Sequence, residues 1–252
     1  MRLVFFLEYD GTSWYGWQTQ LNKNTIQDCL ENALMNFCNE KIRVICAGRT
    51  DSGVHAKRQV VHFDTKLNRK LESWIKGVNS YLPESITINK VFKVDDNFHA
   101  RFSAISRTYS YKILNNQIRS PLSSRTSAWV YQPLDEKKMQ RAASILVGKH
   151  DFSSFRSSEC QAKSSIRIVK RCDVKRVDSL ITIEIEANAF LQHMVRNIVG
   201  SLFEVGRGAK PIEWINFILD SKDRKLAGKT FPPQGLCFEN VNYGDKLNEN
   251  TN

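Results

Sequence analysis

The ten residues Ala47-Gly48-Arg49-Thr50-Asp51-Ser52-Gly53-Val54-His55-Ala56 hold the most chemically suggestive arrangement in this chain. A carboxylate, Asp51, stands between two glycines, and a permanent cation, Arg49, stands two residues before it. Glycines allow backbone angles closed to other residues, so such a loop can bring a carboxylate close to a ligand. Asp is also common in ordinary turns, and a simple hairpin connection is the structural alternative.

Three other patches could carry chemistry. Tyr109 lies in Arg107-Thr108-Tyr109-Ser110-Tyr111-Lys112-Ile113, where alternation puts Tyr109, Tyr111 and Ile113 on one strand face. It could pack in the core or stack on a nucleobase. Arg196, in Met194-Val195-Arg196-Asn197-Ile198-Val199-Gly200, falls just outside the apolar arc of a helix. It could be a solvated rim residue or could reach a carboxylate, with Asp51 as a candidate partner. Gly206-Arg207-Gly208-Ala209-Lys210 matches no nucleotide-binding fingerprint and reads as a helix terminator open to phosphate contacts. His150-Asp151 before Ser153 and Ser154 lacks a nucleophile elbow, and capping of a turn explains it more simply.

Elements must position these residues. Leu3 to Tyr9 is an apolar run expected to form a central strand. Thr25-x-x-Asp28 resembles a capping box ahead of a helix with Ile26, Leu30, Ala33, Leu34 and Phe37 on one face. Strand-like runs at 41–46 and 59–63 flank the Asp51 loop. A short helix through Leu71, Trp74, Ile75 and Val78 precedes a strand at 86–94. In the second half, Asp135 caps a helix carrying Met139, Ala142, Ala143, Leu146 and Val147. Ile181, Ile183 and Ile185 alternate in a half-exposed strand, residues 190–205 form an apolar helix, Pro211 starts another, and 235–241 closes as a strand.

Strands grouped around two amphipathic helices, twice over, predict an α+β fold: two ferredoxin-like lobes joined into an extended antiparallel sheet with helices packed on one face. The expected divisions are 1–104, carrying the Asp51 loop, 105–244, carrying the Tyr109 strand and Arg196 helix, and a polar tail at 245–252.

The bulk composition narrows the partners. The 252 residues include 37 Lys and Arg against 26 Asp and Glu, a net charge of +11. That excess suits a polyanion, either nucleic acid or an anionic membrane surface. Six cysteines without a Cys-x-x-Cys pair and five histidines without metal-ligand spacing give no disulfide framework and no metal site. No signal-peptide core or membrane span is present in the sequence, and a cytoplasmic location is expected.

An ordered set of motifs resembles the tRNA pseudouridine synthase A family. Tyr9-Asp10-Gly11-Thr12 with Gly16-Trp17-Gln18 is similar to its opening, and Ala47 to Ala56 to its signature loop. Phe98-His99-Ala100-Arg101-Phe102, the Tyr109 strand, His150 to Phe155, Phe190-Leu191 before Met194-Val195-Arg196, Gly235-Leu236 and Tyr243 follow in order. The resemblance spans residues 3–243. Ser52, Gln192 and Thr230-Phe231-Pro232-Pro233 depart from it without touching the charged or aromatic residues named above.

The resemblance implies the pseudouridine synthase fold and isomerisation of uridine to pseudouridine in tRNA. The N1–C1′ bond is exchanged for C5–C1′, with no cofactor and no metal. It implies Asp51 as nucleophile and Tyr109, Arg49 and Arg196 as substrate-binding residues, Arg196 holding the carboxylate. It also implies targets at positions 38, 39 and 40 of the anticodon stem-loop and a homodimer. Two other classes share parts of the pattern. A non-catalytic RNA-binding module would need the cations but not the Asp51 carboxylate. A metal-dependent nuclease using Asp51 with Asp10 or His55 would shorten the RNA and fail in chelator.

Overall fold

The computed structural model describes residues 1–21 and 24–247; most of the expected polar tail, from residue 248 on, lies outside them. Ten strands and five α-helices occur among the described residues. They fall into two compact units, one of residues 1–107 with the chain from 238 on, the other of residues 108–237.

The first unit runs β1 (Arg2–Tyr9), α1 (Ile26–Cys38), β2 (Ile45–Cys46), β3 (His55–Asp64), α2 (Leu71–Asn79) and β4 (Ile86–Val94). That is the βαββαβ order of a ferredoxin-like lobe, and β4-β1-β3 are neighbours with β2 on the far side of β3. β1 pairs antiparallel with both β3 and β4, in registers such as Leu3 opposite Phe63 and Phe5 opposite Val91. Five successive buried residues in β1 make it the central strand its apolar run predicts. Phe5 and Phe63 meet edge to face at 4.8 Å, and Trp74 of α2 packs on Phe63 at 5.7 Å, filling the space between sheet and helix.

The N-cap half of the α1 capping box forms, while Asp28 takes the Thr25 hydroxyl. Thr25 Oγ1 accepts the Asp28 backbone N–H at 3.2 Å and donates to the Asp28 carboxylate at 2.6 Å. The strand expected at 41–46 is shorter than its alternation suggests. Only Ile45 and Cys46 pair with β3, because the Val44 N–H is taken by the Glu31 side chain of α1 at 3.1 Å.

His62 of β3 gives this unit an acid sensitivity. Its Nδ1 accepts the Ala100 N–H at 3.1 Å, and His99 lies beside it with ring centroids 4.7 Å apart. Burial, helped by the charge of His99, pushes its pKa down to about 4. The unfolded chain, with histidine near 6.5, binds the proton first on acidification. Stability is therefore full above about pH 6.5 and is lost as the pH falls toward about 4. Lowering the pH from about 7 to about 4.5 costs on the order of 2 kcal/mol from this group. His62→Asn, which retains an acceptor, removes most of that dependence in urea unfolding at the two pH values.

The second unit contains β5 (Ser106–Asn115), β6 (Ala128–Val130), α3 (Glu136–Ile145), β7 (Gly148–Asp151), β8 (Ile166–Val177), β9 (Leu180–Ala187), α4 (Met194–Gly206) and α5 (Trp214–Ser221). β10 (Leu236–Asn242) begins at its end and continues in the first unit, beside β3. The strand order here is β5-β9-β8-β7, with β6 parallel to β5; the β7–β8 and β8–β9 pairs are antiparallel. The molecule is thus a mixed, mostly antiparallel α+β protein. Asp135 caps α3 by accepting the Lys138 N–H at 2.9 Å. Met139, Ala142 and Ala143 face inward, while Val147, placed on the apolar stripe, is exposed beyond the helix end.

Three strands escape the sequence reading. β8 is the longest, and its alternation is broken by a bulge between Val169 and Arg171 and by charged residues on its open face. α4 starts four residues later than expected because His193 adopts a left-handed backbone, φ 62°. The Met194 N–H closes a turn on Leu191 instead. The segment after Pro211 begins with i to i+3 bonds at Trp214 and Ile215, which delays α5. Gly208, at φ 76° with its N–H on Val205, ends α4 as the glycine pattern predicts.

Candidate active site

The Asp51 loop is held on both flanks by residues far from it in sequence. At its start, Ala47 N–H bonds to Val60 at 2.8 Å, and the Ala47 carbonyl accepts from Arg107 Nε at 3.3 Å and Nη2 at 3.1 Å. Gln59, fully buried, donates to the Gly48 carbonyl at 2.6 Å and takes the Val60 N–H at 3.1 Å. Thr50 is gripped twice: its carbonyl accepts from Trp17 N–H at 3.0 Å and its hydroxyl meets the Tyr9 hydroxyl at 2.8 Å.

Asp51 then opens a tight turn, with Val54 N–H on the Asp51 carbonyl at 3.2 Å and Gly53 at φ 77° in the third position. A positive φ there is the requirement of a type II turn and the reason for the glycine. The Trp14 carbonyl braces the far side, accepting from Gly53 N–H and from the Ser52 hydroxyl, each at 3.2 Å. Gly16 presses on the loop from the same segment. A Cβ there would stand 2.6 Å from the Thr50 carbonyl oxygen and 2.9 Å from the Asp51 carbonyl carbon, and its φ of 82° already disfavours a side chain. Asp51 is left half-buried and Arg49 exposed. The result is a half-buried aspartate on a loop whose backbone is bonded on both sides of it.

Tyr109 and Arg196 belong to the second unit. Tyr109 is 7% exposed on β5, and its ring meets Phe190 edge to face at 5.0 Å. Arg196 lies in the first turn of α4. Its Nε donates to the Phe231 carbonyl at 2.7 Å, and the Phe231 N–H returns a bond to the Arg196 carbonyl at 3.1 Å. Phe231 in turn packs on Phe203 and on Tyr111, whose buried hydroxyl donates to Pro232 at 2.7 Å and is held well above its usual pKa by burial, against the opposing charge of Arg196. The structure thus places Asp51 and Arg49 on one loop of the first unit and Tyr109 and Arg196 on neighbouring secondary structure of the second.

The His150-Asp151 pair serves a turn. Asp151 Oδ1 accepts the Ser153 N–H at 3.0 Å and its hydroxyl at 2.6 Å. Among the described residues, no group of three or more His, Cys, Asp or Glu side chains could hold a metal ion, and no helix is long and apolar enough to cross a membrane. All six cysteines are free thiols.

Known proteins match the chain over most of its length. The profile of the family described as tRNA pseudouridine synthase matches residues 6–103 and 142–244. The chain belongs to that family. A tRNA pseudouridine synthase A from Janthinobacterium sp. (strain Marseille) is 50% identical over 251 residues, covering 97% of this chain and 93% of its own. Those from Herminiimonas arsenicoxydans and Bordetella petrii are 51% and 48% identical, covering 97% and 98% of this chain and 90% and 94% of theirs. As a tRNA pseudouridine synthase family member the chain is an isomerase, and its Asp51, Arg49 and Arg196 all lie within the matched stretches, whereas Tyr109 lies between them.

Gln59 and Arg107 are positioning residues that sequence reading did not single out for this loop. A polar Gln59 directly before the apolar run Val60-Val61-His62-Phe63 was the available signal, since a buried amide must be bonded.

Proposed function

We propose that this enzyme isomerises uridine to pseudouridine at positions 38, 39 and 40 of the tRNA anticodon stem-loop, with Asp51 as nucleophile and without a cofactor. Action on tRNA follows the family; the positions and residue roles rest on the resemblance of the motifs. The observation that carries the reading is the Asp51 loop, with its backbone bonded before and after a half-buried carboxylate residue. Arg49, Tyr109 and Arg196 bind the substrate, Tyr109 by packing against the uracil. The functional division falls at 1–104, with the Asp51 loop, and 105–244, with the Tyr109 strand and Arg196 helix, although the chain from 238 on packs in the first compact unit. The enzyme acts as a cytoplasmic homodimer.

The chemistry conserves atoms. The N1–C1′ bond breaks, the uracil turns, C5 bonds to C1′, and the C5 proton leaves to solvent while N1 gains one. The target base must leave its stack to meet the carboxylate, which costs less in a stem-loop than deep in a duplex. Neighbouring targets favour recognition by shape and phosphate contacts, which suits a net charge of +11.

The test is tritium release from unmodified tRNA transcripts labelled at uracil C5. Release is expected from a transcript with uridine at 38, 39 and 40 and is expected to stop when all three are cytidine. Continued release from the substituted transcript overturns the positions, and cleaved RNA in place of release overturns the reaction.

A further inference from the structure

The second unit carries a cleft of about 480 Å³ whose lining includes Arg156, His193, Lys222, Arg224, Ser157 and Thr230. None of Asp51, Arg49, Tyr109 and Arg196 lines it.

Its cations are poorly matched by the protein itself. Arg224 is half-buried and spends its guanidinium on neutral acceptors: Gly228 O at 2.9 Å, Asn197 Oδ1 at 2.9 Å and the Thr230 hydroxyl at 3.0 Å. Arg156, also half-buried, donates to the Cys160 carbonyl at 2.5 Å. Neither arginine forms an ion pair with a carboxylate among the described residues. Lys222 stands 3.9 Å from Asp151, a loose pair whose carboxylate is already engaged by Ser153. Beside the cleft, Arg167 has a buried Nε without a hydrogen-bond partner. Burial lowers the pKa of Arg224 and of Arg167, the latter also through the charge of Arg156.

Asp223, between Lys222 and Arg224, turns its carboxylate to the Lys225 N–H at 2.9 Å, so three guanidinium groups and an ammonium are left with carboxylates engaged elsewhere, a surplus of positive charge that an anion would relieve. The N-terminus of the 13-residue α4 adds to it. It is preceded by His193, which gives no side-chain cap, and has no acidic residue in its first turn. Planar guanidiniums, an ammonium and nearby hydroxyls are the donor set of a phosphate site.

We propose that this cleft binds a phosphodiester of the RNA substrate's backbone, with Arg224 as the anchored cation and Arg156 and Lys222 as those that reach the phosphate oxygens. The proposal rests on the substrate being an RNA, as above. It adds a positioning contact apart from the reacting base, one that holds the stem whatever its sequence.

Full-length Arg156→Gln/Lys222→Gln protein tests it, by fluorescence anisotropy with an unmodified tRNA transcript over a series of KCl concentrations. Each lost phosphate contact removes about 0.9 from the slope of log affinity against log salt, so a decrease of about 2 is expected, with affinity roughly 10-fold weaker or more at fixed salt. Lys41→Gln/Lys66→Gln, which removes the same charge from exposed positions of the first unit, is expected to change the slope by well under half as much. Unchanged melting temperatures certify the fold. A wild-type slope in the cleft variant, or an equal decrease in both variants, overturns the subsite. So does inorganic phosphate binding that is lost in the cleft variant while its tRNA slope stays at the wild-type value. Failure of the wild type to release C5 tritium would instead sink the reaction assignment and is read separately.

Discussion

Asp51→Asn protein is expected to release no measurable tritium from C5-labelled tRNA yet to bind that tRNA within a few fold of wild type. The amide matches the carboxylate in shape and hydrogen-bonding reach, so the turn from Asp51 to Val54 and its braces at Trp14 remain in place. What disappears is the carboxylate oxygen that, in the proposed role, attacks the substrate. An amide oxygen is a far weaker nucleophile, and the expected loss is at least about 10⁴-fold, equivalent to about 5.5 kcal/mol of barrier. Single-turnover tritium release with saturating enzyme measures the step, and anisotropy on the same tRNA measures binding. Undiminished turnover would remove Asp51 from the chemistry. Lost binding with a normal melting curve would make the carboxylate a docking group instead.

Much of the fold was legible because its periodicity is undisturbed. β1 is a continuous apolar run and β9 a strict alternation of Ile with polar residues, and each was read within a residue or two of its ends. α1 carries both its stripe and its cap. Legibility failed where a long-range event interrupts a local pattern. The β8 bulge shifts the alternation by one residue, so apolar Ile166 and Ile168 point to solvent while Cys172 and Val174 are buried. β2 lost its first residues to a side chain of α1, and α4 its first turn to a left-handed histidine. Hydrophobic periodicity does not encode a side-chain acceptor such as Glu31 or a left-handed backbone such as that of His193.

The candidate site divides in the same way. Asp51 stood out because the glycines around it and the charge beside it are local features. Its supports did not. Gln59 bonds Gly48 across a strand, and Arg107 reaches Ala47 over sixty residues; Thr50 is held from Tyr9 and Trp17. Each is a polar residue whose purpose depends on a partner that periodicity does not name. Tyr109 illustrates the converse: alternation put it on one face with Tyr111 and Ile113, and its contact with Phe190 needed the turn that precedes α4.

Gly16→Ala should reveal how much of the rate depends on those supports. The substitution adds one carbon, makes no new charge and leaves Asp51 chemically intact. The new Cβ would lie 2.6 Å from the Thr50 carbonyl oxygen, well inside contact distance, and φ of 82° is strained for alanine. The loop cannot simply retreat, because Gln59 and Arg107 hold its entry and Tyr9 holds the Thr50 hydroxyl. Nor can the glycine segment, since Trp17 N–H and the Trp14 carbonyl bond to the same loop. One set of these bonds must lengthen, and the carboxylate moves with it. A displacement near 1 Å costs a positioned group about 10²-fold in rate. Stability falls too, by about 1–3 kcal/mol, from strain and overpacking. The expected result is a folded enzyme with a lower melting temperature, tRNA affinity near wild type and single-turnover tritium release slowed by about 10²-fold. Release within a few fold of wild type would mean that the loop tolerates displacement and that its bonds serve the fold alone. A deficit in binding with an unchanged rate at saturation would place the loop in RNA docking, because a misplaced nucleophile slows the chemical step even when every molecule of enzyme holds its substrate.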